Sequence, residues 1–145
     1  MYERLREAVD EFSCFIKELP EAALAEKAWG PREVLIHLVF WLESFVTQTE
    51  AILAKEPFEP LQGRFDDLNA QAIEANCDVS VDELLRRHQV ACERLGDLAQ
   101  NHDSESIALQ IKKGSVRRTL TRLMTEEAGH IRNHHRRLRK EMFLV

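Results

Sequence analysis

GPREVLIHLVFWLESF, residues 30–45, determines the fold class predicted for this chain. Its apolar positions recur at spacings of four and three, which is typical of one face of an α-helix. They are Val34, Leu38, Trp41 and Phe45, and Ile52 continues the same face further along the helix. Pro31 suits the first position of a helix, and we expect this helix to end before Pro57. Trp41 and the preceding Trp29 are interpreted as packing anchors rather than as aromatic residues that bind a ligand.

Three further segments share the helical period. The first is expected to end at Pro20, because proline stops a helix. The third is expected to begin at Ser80, which forms a capping box with Glu83, and the fourth at Ser115. The apolar stripes are Leu5, Val9, Phe12, Ile16 and Leu19 in the first, Leu84, Leu85, Ala91, Leu95 and Leu98 in the third, and Val116, Leu120, Leu123, Glu127, His130, His134 and Leu138 in the fourth. The sequence therefore predicts an all-α fold.

The lengths of the connections predict how these helices are arranged. Helices one and two are joined by a short loop, so we expect them to be antiparallel neighbours. About 25 residues separate helices two and three, with a short helix expected near residues 64–76. The sequence predicts one domain, residues 1–145, folded as a four-helix bundle. Its order is up-down-down-up, with a long crossover between helices two and three.

Charge and cysteine content limit the classes of function. The net charge of -5 is acidic overall and only the last helix is basic, which does not suit a general nucleic-acid binder. No segment approaches the ~18 apolar residues of a membrane span, and residues 1–12 do not resemble a secretory signal. The cysteines Cys14, Cys77 and Cys92 are odd in number and lack a CxxC pair, which favours a reducing compartment. We expect a cytoplasmic protein without nucleic acid or membrane as a partner.

Polar residues interrupt the apolar stripes of helices two and four. His37 replaces an apolar residue in helix two, and Glu127, His130 and His134 follow one another in helix four. The last two are four residues apart, so both imidazoles project from one face. An unpaired polar group in a core costs ~1–3 kcal/mol, and a divalent cation bound by the imidazoles would offset that cost. The sequence therefore predicts a metal site on His37, His130 and His134.

Each polar residue also has an ordinary structural interpretation. A single histidine such as His37 is more often a hydrogen-bonded core residue than a metal ligand. Glu127 is expected to orient a ligand histidine, to accept a proton or to add a fourth ligand, and a salt bridge to an arginine is the alternative. His88, on the stripe of helix three, is interpreted as a core histidine or as a partner of a ligand, and a role as a further ligand is the alternative. His135 is expected in solvent and His102 in a polar loop.

Several segments resemble the DinB/YfiT-like superfamily. Residues 29–41, WGPREVLIHLVFW, are similar to its helix-two signature, in which a Trp, a polar stretch and a hydrophobic pair precede a His followed by Leu. Residues 130–134, HIRNH, resemble the HxxxH motif of its last helix, and residues 67–85 are similar to the ClbS/DfsB branch. The chain departs from the ClbS pattern at Ile131, where an aromatic residue usually follows the histidine.

This resemblance implies an up-down-down-up bundle, often a homodimer, with a divalent metal on His37, His130 and His134. Members of the superfamily include transferases and isomerases that use low-molecular-weight thiols, and the ClbS branch includes a cyclopropane hydrolase that protects against a genotoxin. We therefore expect a metal-dependent hydrolase or thiol-dependent transferase acting on a small electrophilic substrate. Zinc or nickel is the expected metal, iron or manganese the alternative, and Glu127 the expected proton-handling residue. The competing hypothesis is a non-catalytic protein of the ClbS/DfsB type that binds or sequesters a small molecule.

Overall fold

A computed structural model of the chain describes residues 2–25 and 27–143. Its elements are α1 (Tyr2–Glu18), a 3-10 turn (Glu21–Leu24), α2 (Pro31–Ala54), α3 (Phe65–Ala75), α4 (Val81–Asn101), β1 (Ala108–Leu109), β2 (Arg118–Thr119) and α5 (Leu120–Phe143). The two short strands pair antiparallel. The prediction of an all-helical chain is confirmed apart from this hairpin, and α3 lies where a short helix was expected.

The helices begin at the residues that the sequence indicates for α2 and α4. Gly30 caps α2 and Pro31 occupies its first turn. A side chain at Gly30 would place its Cβ 3.2 Å from the Lys27 carbonyl oxygen, so the close turn before α2 favours glycine. The Ser80 hydroxyl accepts a hydrogen bond from the Glu83 backbone N–H at 3.1 Å, which caps α4.

The start of the last helix differs from the sequence prediction. Ser115 was expected to cap this helix, but α5 begins at Leu120, and Val116 is 73% exposed instead of lying on the apolar stripe. Gly114, at a φ of 91°, allows the chain to turn between β1 and β2. The hydroxyl of Thr119 accepts the N–H of Arg122 at 3.1 Å and so caps the helix in place of Ser115.

Contacts between the long helices show their relative directions. They pair Glu7 with Arg132 and Phe12 with His135 between α1 and α5, and Glu43 with Arg87 and Glu50 with Arg94 between α2 and α4. Residue numbers rise together in both pairs of helices, so each pair is parallel. Between α2 and α5 the order is reversed, because His37 meets His130 whereas the earlier Trp29 meets Arg137. These two helices are therefore antiparallel.

One continuous apolar core joins all five helices. The predicted stripes supply most of it, and Leu38 on α2 and Ile131 on α5 are completely buried next to the histidines of each helix. Ile52 is an exception, since 36% of it is exposed. Among the helices of the described residues, none combines the length and the apolar character that a membrane crossing requires.

Candidate metal centre

His37, His130 and His134 come together where α2 crosses α5. The Nε2 atom of His130 lies 3.1 Å from Nε2 of His37 and 3.1 Å from Nε2 of His134. One ligand atom from each of the three histidines lies within 4.8 Å of the others. Ligand nitrogens at ~2.0–2.1 Å from a tetrahedral zinc ion are about 3.3 Å apart. The three histidines are therefore close enough to hold a metal ion, as the sequence predicts.

The two helices present these side chains at different depths. His37 is 7% exposed, because the apolar stripe of α2 faces the core. The side chain of His130 is 36% exposed, and His134, one turn further along α5, is half-buried. The site is thus closed on the side of α2 and open to solvent along α5. A small molecule can approach it from that open side.

Asn69 on α3 determines the protonation of His37. Its Oδ1 atom lies 2.9 Å from Nδ1 of His37 and 2.7 Å from Nε1 of Trp41. The indole N–H can only donate a hydrogen bond, so Oδ1 of Asn69 is an acceptor, and Nδ1 of neutral His37 carries the proton. The lone pair of the His37 ring is therefore on Nε2, the atom that faces the other two histidines.

Glu127 has the corresponding effect on His130. Its Oε1 atom lies 2.9 Å from Nδ1 of His130 and accepts the hydrogen bond of that N–H. Neutral His130 therefore also directs an unprotonated Nε2 toward the centre. Hydrogen bonds of this kind to the second ring nitrogen are usual for histidines that bind metals. Among the described residues, Glu127 therefore pairs with His130 and not with an arginine.

These bonds show that the ligand set fits a cation. Two Nε2 lone pairs that face each other at 3.1 Å repel unless a proton or a metal ion lies between them. Imidazole nitrogens are good ligands for zinc, nickel and iron. The second oxygen of Glu127, Oε2, is buried and has no hydrogen-bond partner among the described residues. Two oriented imidazoles, a third beside them and a buried carboxylate oxygen are suited to a divalent ion and its exchangeable ligands.

The histidines differ in their basicity. Burial lowers the pKa of His37 to about 4, although its hydrogen bond to Asn69 opposes the shift. Burial, together with the nearby His130, His37 and Arg137, lowers the pKa of His134 to about 4. Burial also acts to lower the pKa of His130, but the hydrogen bond and charge of Glu127 outweigh it and raise the pKa above its ordinary value. His130 is therefore the first of the three to take up a proton.

The remaining histidines lie outside this cluster. His88 is 1% exposed on α4, and its Nε2 has no hydrogen-bond partner among the described residues. It is not part of the group of three ligands. His135 was expected in solvent, but its ring packs on Phe12 and Phe15 at centroid distances of 5.8 and 4.8 Å. The His102 ring lies 3.0 Å from the Leu98 carbonyl oxygen at the end of α4.

Comparisons of the chain with known proteins found no match. No protein-family model matches the chain. No curated protein and no solved structure matches it significantly.

Two residues at the site have roles that the sequence analysis did not assign. Asn69 is buried beside Leu68 on the inner face of α3, and a polar residue at such a position is the same signal that singled out His37. Trp29 is 40% exposed, contrary to its expected role as a packing anchor. Its ring meets the His37 ring edge-on at a centroid distance of 5.5 Å. A backbone φ of 55° at Trp29 is a local feature that a helical pattern does not reveal.

Proposed function

We propose that this chain is a DinB/YfiT-like metal-dependent enzyme, a hydrolase or a thiol-dependent transferase that acts on a small electrophilic substrate. The observation that carries the proposal is the convergence of three imidazole Nε2 atoms from two helices. Two of the rings are held in the required tautomer by Asn69 and Glu127. An ordinary core histidine needs one hydrogen-bond partner, whereas this arrangement directs several lone pairs at one point.

The residues around the centre suggest how such a reaction would be supported. The three histidines would hold a divalent ion, zinc or nickel in our proposal and iron or manganese as the alternative, which would supply Lewis acidity and lower the pKa of a water or thiol bound to it. Three protein ligands leave further coordination positions for exchangeable groups. Asn69 and Glu127 fix the ring orientations, and the unpartnered Oε2 of Glu127 is available to hold a proton near His130. Burial of His37 excludes water from the inner side of the site.

We also infer that the helices form the up-down-down-up bundle. The parallel pairs α1–α5 and α2–α4, together with the antiparallel pair α2–α5, support this arrangement. In it, the connection that contains α3 is the crossover, and it delivers Asn69 to His37. We also propose a homodimer, on the basis of the family resemblance. A cytoplasmic location is proposed because the three cysteines are odd in number and form no disulfide.

Metal analysis of the purified protein tests the proposed function. The parent is expected to hold about one ion per chain, in keeping with a single three-histidine site, and His37→Ala and His130→Ala are expected to lose it. His102→Ala is the matched control, because this histidine lies at the end of α4 outside the cluster. A parent protein that is free of metal and indifferent to chelator and to added zinc or nickel would contradict the proposal. That result would favour the non-catalytic, sequestering alternative.

A further inference from the structure

A groove lies next to the metal centre, between the turn before α2 and the outer face of α3. Its volume is about 630 Å³, which is within the range of small-molecule sites. The side chains that line it include Trp29, Glu33, Asp66, Ile73, Glu74 and Cys77. A larger groove of about 800 Å³ lies between α1 and α5 and contains none of the three metal-binding histidines. The lining of the groove beside α3 contains none of them either, but it includes Trp29, whose ring contacts His37.

Trp29 connects this groove with the metal centre. Its ring lines the groove and also meets the His37 ring edge-on at 5.5 Å. The residue has a left-handed φ of 55°, a conformation that is unfavourable for a residue with a side chain. Two contacts hold it there, because Oε1 of Glu33 accepts its N–H at 3.0 Å and Arg137 donates to its carbonyl oxygen at 3.0 Å. An exposed indole is thus fixed at the boundary between the two sites.

The charged groups of the groove are acidic. Glu33, Asp66 and Glu74 line it, and no lysine or arginine does so. Asp66 and Glu74 form no ion pair within the described residues. Arg32 reaches the Cys77 end, but one of its nitrogens already donates to the Cys77 carbonyl oxygen at 2.8 Å as well as to two neighbouring carbonyls. The three carboxylates of the lining outnumber the neighbouring guanidinium groups of Arg32 and Arg137, so the groove keeps a net negative charge beside an aromatic ring.

We propose that this groove binds an organic ammonium group, the cationic part of the substrate whose reactive end lies at the metal centre. A cation is attracted to the face of an indole ring, and the carboxylates add a Coulombic attraction that neutral or anionic groups lack. The same carboxylates disfavour an anionic thiol in the groove, because like charges are repelled. The position of the reactive end rests on the proposed function, whereas ammonium binding by the groove does not.

Two probes of equal shape test this preference for a cation. Choline and its neutral carbon analogue, 3,3-dimethylbutan-1-ol, are each titrated into the zinc-treated protein while tryptophan fluorescence is recorded. We expect choline to change the fluorescence in a saturable way and the neutral analogue to bind at least about tenfold more weakly, since both the cation–π and the Coulombic attraction are lost. Trp29→Phe should abolish the change in fluorescence, because Trp41 is buried.

Charge-removal variants test the role of the carboxylates. We expect Asp66→Asn/Glu74→Gln to weaken choline binding about tenfold or more. The matched control, Glu93→Gln/Asp97→Asn, removes one glutamate and one aspartate charge from exposed positions on α4 instead. It should bind choline like the parent. Equal binding of the two probes, an absence of choline binding, or equal behaviour of the two double variants would each overturn the proposal.

Metal content measured on the same samples separates this inference from the proposed function. A protein that holds no metal but prefers choline over the neutral analogue would contradict the proposed function and support the groove. A protein that holds metal but does not distinguish the two probes would overturn the groove proposal alone.

Discussion

The side-chain oxygen of Asn69 lies 2.9 Å from Nδ1 of His37, and this contact links α3 to the metal centre. Because the same oxygen accepts the N–H of Trp41, it cannot act as anything but an acceptor toward the imidazole. The short helix in the crossover is therefore part of the site and not merely a connection. It selects the ring nitrogen that His37 presents to the other two histidines.

Replacing Asn69 tests this role. Asn69→Ala is expected to weaken zinc binding by about 10–100-fold, the usual effect of losing a hydrogen bond to a ligand histidine. Asn69→Asp keeps an acceptor at the same position and should retain an affinity close to that of the parent. Competition with a chromophoric chelator measures both, and Asn133→Ala, at an exposed position on α5 between the two ligands, is the control. Equal affinities for Asn69→Ala and the parent would contradict the proposed orientation of His37.

Glu127 is expected to control the basicity of His130. In the metal-free protein its hydrogen bond and charge hold the pKa of His130 above the ordinary value, against the effect of burial. Glu127→Gln removes the charge, so the pKa of His130 should fall, and NMR titration of the imidazole Cε1 protons measures the shift. Glu126→Gln is the matched control, since the neighbouring Glu126 pairs with Arg118 and Arg122 and not with a histidine. The prediction is wrong if both variants leave the titration of His130 unchanged.

The sequence predicts the ligands but not all that orients them. His37, His130 and His134 stand out because they interrupt apolar stripes, and helical period alone brings the last two to one face. Asn69 lies on a separate short helix, and no local rule gives the position of α3 relative to α2. The start of α5 was misplaced for a related reason, because Ser115 and Thr119 are both acceptable helix caps. The pairing of β1 with β2 holds residues 118 and 119 in a strand, so the helix begins after Thr119 and not after Ser115.

Metal binding is expected to weaken in acid. Neutral imidazole is the ligand, so protons compete with the metal, and His130 takes up the first proton because its pKa is raised. Occupancy should therefore fall as the pH drops below about 6. Dialysis at a series of pH values followed by metal analysis measures the loss. Full occupancy at about pH 4.5 would contradict coordination by histidines alone.

His88 should make the metal-free protein less stable in acid without contributing to metal binding. Burial lowers its pKa from 6.5 to about 4, so the folded state favours the neutral ring. The stability that the neutral ring contributes is fully present above about pH 6.5. It is lost as the pH falls toward 4, because the unfolded chain binds a proton at His88 before the folded chain does. At 1.36 kcal/mol per pKa unit, the loss is of the order of 3 kcal/mol. Urea unfolding at pH 7 and at about pH 4.5, with chelator present, measures the effect. Between these two pH values the free energy of unfolding should fall less in His88→Leu than in the parent, and the difference should be of the same order as this loss.

The control for His88 is His102→Leu, at an exposed position near the end of the same helix, which should keep the acid sensitivity of the parent. His88→Leu should also keep the metal content of the parent, because His88 lies outside the group of three ligands. Loss of metal in this variant would show that His88 belongs to the centre after all.

Arg32 is expected to support the metal centre at a distance, through α3. One nitrogen of its guanidinium donates to the carbonyl oxygens of Asn76, Cys77 and Val79 at 2.6–3.0 Å, which ties the end of α3 to the start of α2. Arg32→Ala should therefore destabilise the fold by ~1–3 kcal/mol. It should also weaken zinc binding by several-fold, because α3 carries Asn69. Urea unfolding and chelator competition measure the two effects, with Arg64→Ala, at an exposed position before α3, as the control. A loss of stability with unchanged zinc affinity would show that Arg32 stabilises the end of α3 but does not position Asn69.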